Sequence, residues 1–257
     1  MPADPAWPRG VDRVILDEID STNAEAARRA GSYAGPVWIL ARRQTAGRGR
    51  RGRPWVDPEG NFAATLLCRP DGPPDQVALR SFVAALALFD ALVTVTGEAG
   101  QFALKWPNDV LLNDGKLAGI LLENFAAGAG GARCLAVGVG VNLRNAPPPD
   151  PHPPVQPAPP RPVSLKGETG HEVTPEAFLD LLAPAHARWE AQLEQFGFAH
   201  VRTAWLARAA RLGQPLTARA GNDTFTGTFE TLDDSGALVL NTPQGRRHIP
   251  AADVFFT

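Results

Sequence analysis

Residues 44 to 55 read Gln44-Thr45-Ala46-Gly47-Arg48-Gly49-Arg50-Arg51-Gly52-Arg53-Pro54-Trp55. Four of the six positions from 48 to 53 are arginine, and glycines stand between them. Such a run has no apolar face to bury. Its charges repel one another, and its glycines lose much backbone entropy when they are ordered. The expectation is a loop that stays mobile until an anion reaches it. Guanidinium groups offer a planar fork of donors suited to phosphate or carboxylate, and glycine lets backbone N–H groups come close to a ligand. A solvated basic face, a nucleic-acid patch and a ligand loop all remain open from this stretch alone. The string Gly47-x-Gly49-x-x-Gly52 also matches the dinucleotide fingerprint, but that fingerprint needs a helix directly after it. Here Pro54-Trp55-Val56-Asp57-Pro58-Glu59-Gly60 follows, which is turn material.

Composition narrows the choice. The 257 residues give room for one large domain, or for one large and one small. With 25 basic and 27 acidic residues the net charge is −2, so the arginines are concentrated against a neutral background. A protein that lives on nucleic acid usually carries a basic surplus. A site is therefore favoured over a general polyanion surface. Cys68 and Cys134 lie in apolar, strand-like runs and read as reduced core thiols. The opening residues have neither the basic nor the apolar region of a signal peptide, and no apolar run is read as reaching membrane-spanning length. A cytoplasmic protein without a membrane partner is expected.

Outward from the loop, residues 11 to 19 alternate like a strand, and Ser21-Thr22-Asn23-Ala24-Glu25 opens a helix in which Thr22 and Glu25 fit a capping box. Residues 36 to 43 and 61 to 68 read as strands, so the arginine loop joins two strands at one end of a sheet. Residues 77 to 95 read as one buried helix. Then comes Lys105-Trp106-Pro107-Asn108-Asp109, followed by two apolar runs around Asp114-Gly115, a tight-turn signal. Lys116, just beyond that turn, is an exception in an apolar strand. Residues 135 to 143 form another apolar strand. In it Gly138 and Gly140 leave one face bare, with Asn142 on the same face. That bare strip suits a ligand or a second backbone, or else close packing by a helix or another subunit.

Residues 146 to 163 hold ten prolines and read as an extended, exposed excursion. Helices are expected over 174 to 196, capped by Thr174-Pro175, and over 200 to 212. From residue 215 the texture changes to short strand-like runs at 216–219, 224–232, 237–240 and 246–249, separated by turns. This predicts a small β-barrel and a domain boundary near 212 to 214.

Four stretches thus stand in order: Ser21-Thr22-Asn23; Gln44 to Trp55; Lys105 to Asp109 with Lys116-Leu117-Ala118-Gly119-Ile120; and Gly138-Val139-Gly140-Val141-Asn142. Together they resemble the catalytic core of the biotin protein ligases, also called biotin–[acetyl-CoA-carboxylase] ligases. The resemblance spans about residues 11 to 143, and the tail is similar to the family's small SH3-like domain. It implies an α+β fold of the class II synthetase-like biotin/lipoate ligase type. A mixed central β-sheet with flanking helices would occupy 1–212, and an SH3-like barrel 213–257. The implied reaction forms biotinyl-5′-adenylate from biotin and ATP, then passes the biotinyl group to a lysine of a biotin carboxyl carrier protein.

By the same resemblance, Ser21, Thr22, Asn23, Gln44, Gly47, Arg48, Lys116 and Gly119 would bind biotin. Arg50, Arg51, Arg53, Trp55, Asn108, Asp109 and Asn142 would bind ATP and the adenylate. Lys116, then Arg48 and Lys105, would stabilise the reacting charges, and Mg2+ would be held mainly through the ATP phosphates. Catalytic-core sequence begins by about residue 11, so no winged-helix module and no nucleic-acid partner are expected. A homodimer is compatible with the family. Two alternatives stand beside this reading: a lipoate or octanoate ligase or transferase of the same fold, and a non-enzymatic polyanion-binding module.

Overall fold

The structure is a computed structural model and describes residues 6–127, 131–149 and 159–256. Two sheets organise it. The larger has seven strands, β1 (Asp12–Ile19), β2 (Val37–Gln44), β3 (Phe62–Cys68), β4 (Phe102–Lys105), β5 (Asp109–Leu112), β6 (Gly115–Ala126) and β7 (Arg133–Val141), in the spatial order β1-β2-β3-β7-β6-β5-β4. Only the β1–β2 pair is parallel, so the sheet is mixed. Alternation along β7 sends Leu135, Val137, Val139 and Val141 into the main core, and Cys134 and Ala136 into a smaller one on the opposite face.

The main core is closed by α3 (Arg80–Thr96) and α5 (Pro175–Phe196), which pack on each other and, between them, on six strands of the sheet, β2 to β7. Leu86, Leu88 and Leu92 on α3 are fully buried. Each contributes about 1.5–3 kcal/mol relative to an exposed side chain. The apolar run expected as one helix over 77–95 is broken. A short α2 (Pro74–Ala78) with a proline in its first turn precedes α3, and Leu79 joins the two. The 74–96 stretch is long and apolar enough to cross a membrane, contrary to the expectation, but 72% of its most apolar part is buried inside the fold. A short α4 (Leu165–Thr169) precedes α5, and Thr174 caps α5 as expected, its hydroxyl accepting the Ala177 N–H. The next helix, α6 (Phe198–Leu206), is shorter than the 200–212 reading.

On the other face α1 (Thr22–Arg29) covers only half of the sheet. The opening turn of α1 reaches Gly138 through Asn23, and the half from Gly140 outward to β4 lies beyond the helix. The C-terminal sheet has five antiparallel strands in the order β11-β10-β9-β8-β12: β8 (Pro215–Ala220), β9 (Asp223–Leu232), β10 (Leu238–Thr242), β11 (Gly245–Ile249) and β12 (Asp253–Phe256). Four of these strands were expected, and β12 was not. The Trp106 indole N–H donates to the Gly236 carbonyl at 3.0 Å and ties the two sheets together.

Three local readings are corrected. The β5–β6 hairpin turns on Asn113 and Asp114, both left-handed with φ of 48° and 62°, rather than on Asp114-Gly115. Gly115 begins β6, and a larger residue does not fit there, since a Cβ would stand 2.3 Å from a Val163 methyl. The capping box at α1 does not form. Ser21 is the N-cap, and Thr22 and Glu25 turn to other partners. The proline-rich excursion is not wholly an exposed surface feature. Residues 150–158 lie outside the described residues, but Lys116 N–H donates to the Arg161 carbonyl at 2.7 Å and Val163 N–H to the Lys116 carbonyl at 3.0 Å. The segment's end thus runs beside the start of β6. Both cysteines are free.

Candidate active site

The uncovered half of the sheet is the floor of a cavity of about 480 Å³. Its geometry follows from strand register. Lys105, Asp109, Gly119, Gly140 and Ala63 are direct cross-strand partners, so they form one row pointing to the same face. Two residues further along, Leu121, Gly138 and Thr65 form the adjacent row. Lys116 would alternate with Ala118 and Ile120 into the main core. A bulge in the β5–β6 pairing shifts the register there and brings Lys116 to the cavity side, with its Nζ 3.7 Å from where a Gly119 Cβ would sit.

The bare strip is filled by two side chains of the chain itself. A Cβ on Gly138 would lie 2.3 Å from Asn23 Oδ1, and one on Gly140 would lie 2.5 Å from the Trp55 indole. Trp55 therefore lies flat against the glycine floor and can offer its other face to a planar ligand. Gly140→Ala is expected to push Trp55 off the floor and weaken binding of a planar ligand stacked on it at least tenfold, a loss of about 1.4 kcal/mol or more. Binding measured by calorimetry beside an unchanged unfolding temperature checks this. An unaltered affinity would mean that no ligand stacks on Trp55.

The arginine loop, expected to be mobile, is a folded hairpin. Trp55 N–H donates to Gly47 O at 2.9 Å and Gly49 N–H to Arg53 O at 2.7 Å, and Arg51 sits in the left-handed region at φ 56°. Its repulsion is relieved by partners from distant elements. Arg48 pairs with Glu123 at 3.2 Å, and Arg51 and Arg53 both pair with Asp253 on β12, at 2.9 and 2.6 Å. Arg50 turns inward. Burial lowers its guanidinium from the ordinary value, and it donates to Asn108 Oδ1 at 3.2 Å.

The cavity is divided electrostatically. At one end the groups are polar and carry no net charge, the only ions there among the described residues being the Arg48–Glu123 pair. Gln44 Oε1 accepts from the Thr22 backbone N–H at 2.9 Å and from its hydroxyl at 3.2 Å. Thr65 Oγ1 lies 2.8 Å from Thr22 Oγ1 and 2.6 Å from Asn23 Oδ1, and Asn23 Nδ2 donates to Glu123 at 2.7 Å. At the other end Lys116 Nζ stands 2.6 Å and Lys105 Nζ 3.7 Å from the two oxygens of Asp109. Burial alone would raise the Asp109 carboxyl, but the two ammonium groups hold it below its usual range. Burial lowers Lys105 against the pull of Asp109.

Most residues singled out from the sequence line this cavity: Ser21, Thr22, Asn23, Gln44, Arg48, Arg50, Arg53, Trp55, Lys105, Asn108, Asp109, Lys116 and Gly119. Three do not. Gly47 braces the hairpin, where a Cβ would meet the Trp55 carbonyl at 2.6 Å, and Arg51 points to Asp253. Asn142, expected beside the nucleotide, is 2% exposed and donates to the Val163 carbonyl at 3.0 Å, tying the end of β7 to the chain beyond the proline segment. Sequence reasoning passed over Thr65, Glu123, Asp57 and Asp253. A carboxylate or hydroxyl inside an apolar run, the signal used for Lys116, was available for Thr65 and Glu123.

Comparison with known proteins agrees with this geometry. Residues 15–142 match the biotin/lipoate A/B protein ligase family, and residues 212–257 match the biotin protein ligase C-terminal domain. The chain is 59% identical over 94% of its length to a biotin–[acetyl-CoA-carboxylase] ligase of Paracoccus denitrificans, 99% of which is covered. It is 30% identical over 95% of its length to the bifunctional ligase/repressor BirA of Bacillus subtilis, of which 74% is covered. Its fold superposes on the biotin protein ligase of Aquifex aeolicus in complex with biotin and ATP with a TM-score of 0.80. That match has 24% identity and covers 96% of this chain and 99% of the other. With a relative 59% identical and covered almost end to end, and with both the ligase core and its C-terminal domain matched, this chain belongs to the biotin protein ligases.

Proposed function

We propose that this chain joins biotin to ATP and transfers the biotinyl group to a lysine of a biotin carboxyl carrier protein. The observation that carries the reading is the division of one cavity into a neutral polar end and a cationic end that share a glycine floor. A ureido ring needs both donors and acceptors, which Thr22, Asn23, Gln44 and Ser21 supply without charge. Biotin's carboxylate and the triphosphate need fixed positive charge, which Lys116, Lys105, Arg50 and Arg53 supply. Trp55 takes the adenine face, Gly119 leaves room for the biotin chain, and Asn108 orients Arg50. Gly47 shapes the hairpin that carries Arg48 beside the head group. Arg51 takes part in phosphate binding once it leaves Asp253.

In the first step a biotin carboxylate oxygen attacks the α-phosphorus and the bond to pyrophosphate breaks. Two anions meet, so positioning and preorganised charge lower the barrier. Lys116 and Lys105 sit where that charge gathers. In the second step the carrier lysine, having lost its proton, attacks the acyl carbon and AMP leaves. The arginine hairpin keeps the acyl-adenylate from water until then.

Among the described residues no cluster of three metal-ligating side chains occurs. The two carboxylates that line the cationic end are already engaged, Asp109 by lysines and Asp253 by arginines. That donor set suits Mg2+ arriving with the nucleotide, where it would offset phosphate charge. On this reading the chain divides into a catalytic domain, 1–212, and a small domain, 213–257, and the change from one sheet to the other supports the division.

A lipoyl ring fits less well. A dithiolane has no N–H or carbonyl, and it would leave the polar end unpaired. Sites built to hydrogen-bond a ligand discriminate strongly against an analogue lacking those groups. The test is label transfer to a carrier domain with ATP, magnesium and either labelled biotin or labelled lipoate. Transfer from biotin only is expected, and transfer from neither acid would leave an anion-binding module. In the same assay Arg48→Ala is expected to let the adenylate escape about tenfold faster, the effect of one charge-assisted hydrogen bond. It would be seen as labelling of bystander proteins, and unchanged retention would exclude Arg48 from the lid.

A further inference from the structure

The cationic end of the cavity holds a carboxylate that comes from the other sheet. Strand β12 forms one wall, where Asp253, Val254 and Phe255 line the cavity. An acid in that place opposes any anionic ligand, so its presence needs a physical reason. Its partners supply one. Asp253 Oδ2 accepts from the Arg51 guanidinium at 2.9 Å and from that of Arg53 at 2.6 Å. Two arginines of one hairpin thus meet on a single carboxylate oxygen, as they could on a phosphate oxygen. The same donors cannot serve both anions at once.

We propose that Asp253 is an internal competitor of the triphosphate: it holds Arg51 and Arg53 on the small sheet, and phosphate oxygens must displace it to engage them. The small domain thereby sets nucleotide affinity through a residue of its own. This rests on the reading that the cationic end receives ATP.

Three features favour exchange over a permanent brace. All three side chains are partly exposed, so both ion pairs are screened and can open without stranding a buried charge. Arg51 sits in the left-handed region at φ 56°, which costs a residue other than glycine free energy, and its contact with Asp253 helps to offset that cost. Leaving Asp253 lets that backbone relax. Asp253 in turn keeps a cationic neighbour when the hairpin arginines depart, because Arg219 is its cross-strand partner on the same face. Arg50 behaves differently: it lines the cavity, donates to Asn108 and is already turned toward the ligand. A triphosphate carries several charges against one on Asp253, so the nucleotide wins the exchange, with its net affinity reduced by the fraction of arginines that Asp253 holds.

The test compares Asp253→Asn with the unaltered protein by calorimetric titration with magnesium ATP, with inorganic pyrophosphate and with biotinamide, which is uncharged. Asparagine keeps the shape and removes the charge. ATP and pyrophosphate are each expected to bind about three- to tenfold tighter in the variant, the effect of opening two partly exposed ion pairs. Biotinamide should bind as before, and pyrophosphate should inhibit adenylate formation at a correspondingly lower concentration. A merely structural role would weaken all three ligands and lower the unfolding temperature, and it could not make a ligand bind tighter. Unchanged or weaker ATP binding overturns the role of Asp253 and leaves the nucleotide reading standing. If neither ATP nor pyrophosphate binds the unaltered protein, both are overturned. A double-mutant cycle separates contact from long-range repulsion. In a background of Arg51→Ala with Arg53→Ala, Asp253→Asn should gain no more than about twofold. A full gain there would mean that Asp253 acts on phosphate without exchanging partners, and would overturn the proposal.

Discussion

Lys116→Ala lowers the rate of adenylate formation about a hundred- to a thousandfold while the protein stays folded. That magnitude is the one found when a single preorganised donor is removed from developing anionic charge. The structure separates the two effects. The Lys116 side chain is 34% exposed, so its 2.6 Å contact with Asp109 is partly screened and is worth on the order of 1 kcal/mol of stability. Its place on the cavity side comes from the bulge, and its ammonium lies 5.9 Å from the centre of the Trp55 ring, beside the glycine floor. Pyrophosphate release in the presence of biotin and ATP, measured beside thermal unfolding, tests this. If loss of activity merely follows loss of stability, Lys116 is an ordinary strand residue.

The fold was largely legible because its strands are apolar runs with clear alternation and its turns carry glycine, asparagine or aspartate. What escaped is instructive. The strand Asp253–Phe256 is four residues long and ends the described chain, so it has neither the length nor the bounding turns that announce a strand. Yet Asp253 is the carboxylate that neutralises Arg51 and Arg53. The hairpin at 47–55 was read as mobile because its own composition offers no stabilisation. Its order comes from carboxylates roughly seventy and two hundred residues away in sequence, and no local reading reaches that far. The same holds for Asn142. Alternation placed it beside Gly140, but β7 ends at Val141, and the next residue is free to turn toward Val163.

The glycines tell the converse story. Gly138 and Gly140 were legible as a bare strip from their spacing alone. The identity of what lies on the strip, Asn23 and Trp55, depends on how the helix opening and the arginine hairpin fold over the sheet. Lys116 was noticed for being polar in an apolar strand. The bulge that makes it useful was invisible, because a one-residue register shift leaves no mark in a sequence.

Asp109→Ala has the largest effect expected on stability, and its pH dependence distinguishes it from ordinary core damage. The carboxylate holds two ammonium groups, of which Lys105 is almost wholly buried, with its side chain 7% exposed. Removing one partner of such a pair costs about 3–5 kcal/mol, because the other is left charged without compensation. Lys105 escapes part of that cost by losing its proton. Burial already lowers it in the intact protein, and the Asp109 carboxylate is the main charge opposing that fall. Without Asp109 the folded-state value falls further, while the unfolded chain keeps the ordinary lysine value of about 10.4. The unfolded state then binds more protons between those two values, so stability rises with pH across that window. The variant's deficit should be greatest near neutral pH and narrow toward about pH 10, as read by urea unfolding at several pH values. A deficit that is constant with pH would mean that Lys105 keeps its charge and finds another partner. The double replacement Asp109→Leu with Lys105→Met carries the argument one step further. Apolar residues of similar volume commonly match or exceed a buried ion pair in stability, so the double variant should recover most of the loss. It should not recover adenylate formation. Recovered stability without activity would mean that the buried lysine and its carboxylate are kept for the charge they hold ready beside the substrate, at some cost to the fold.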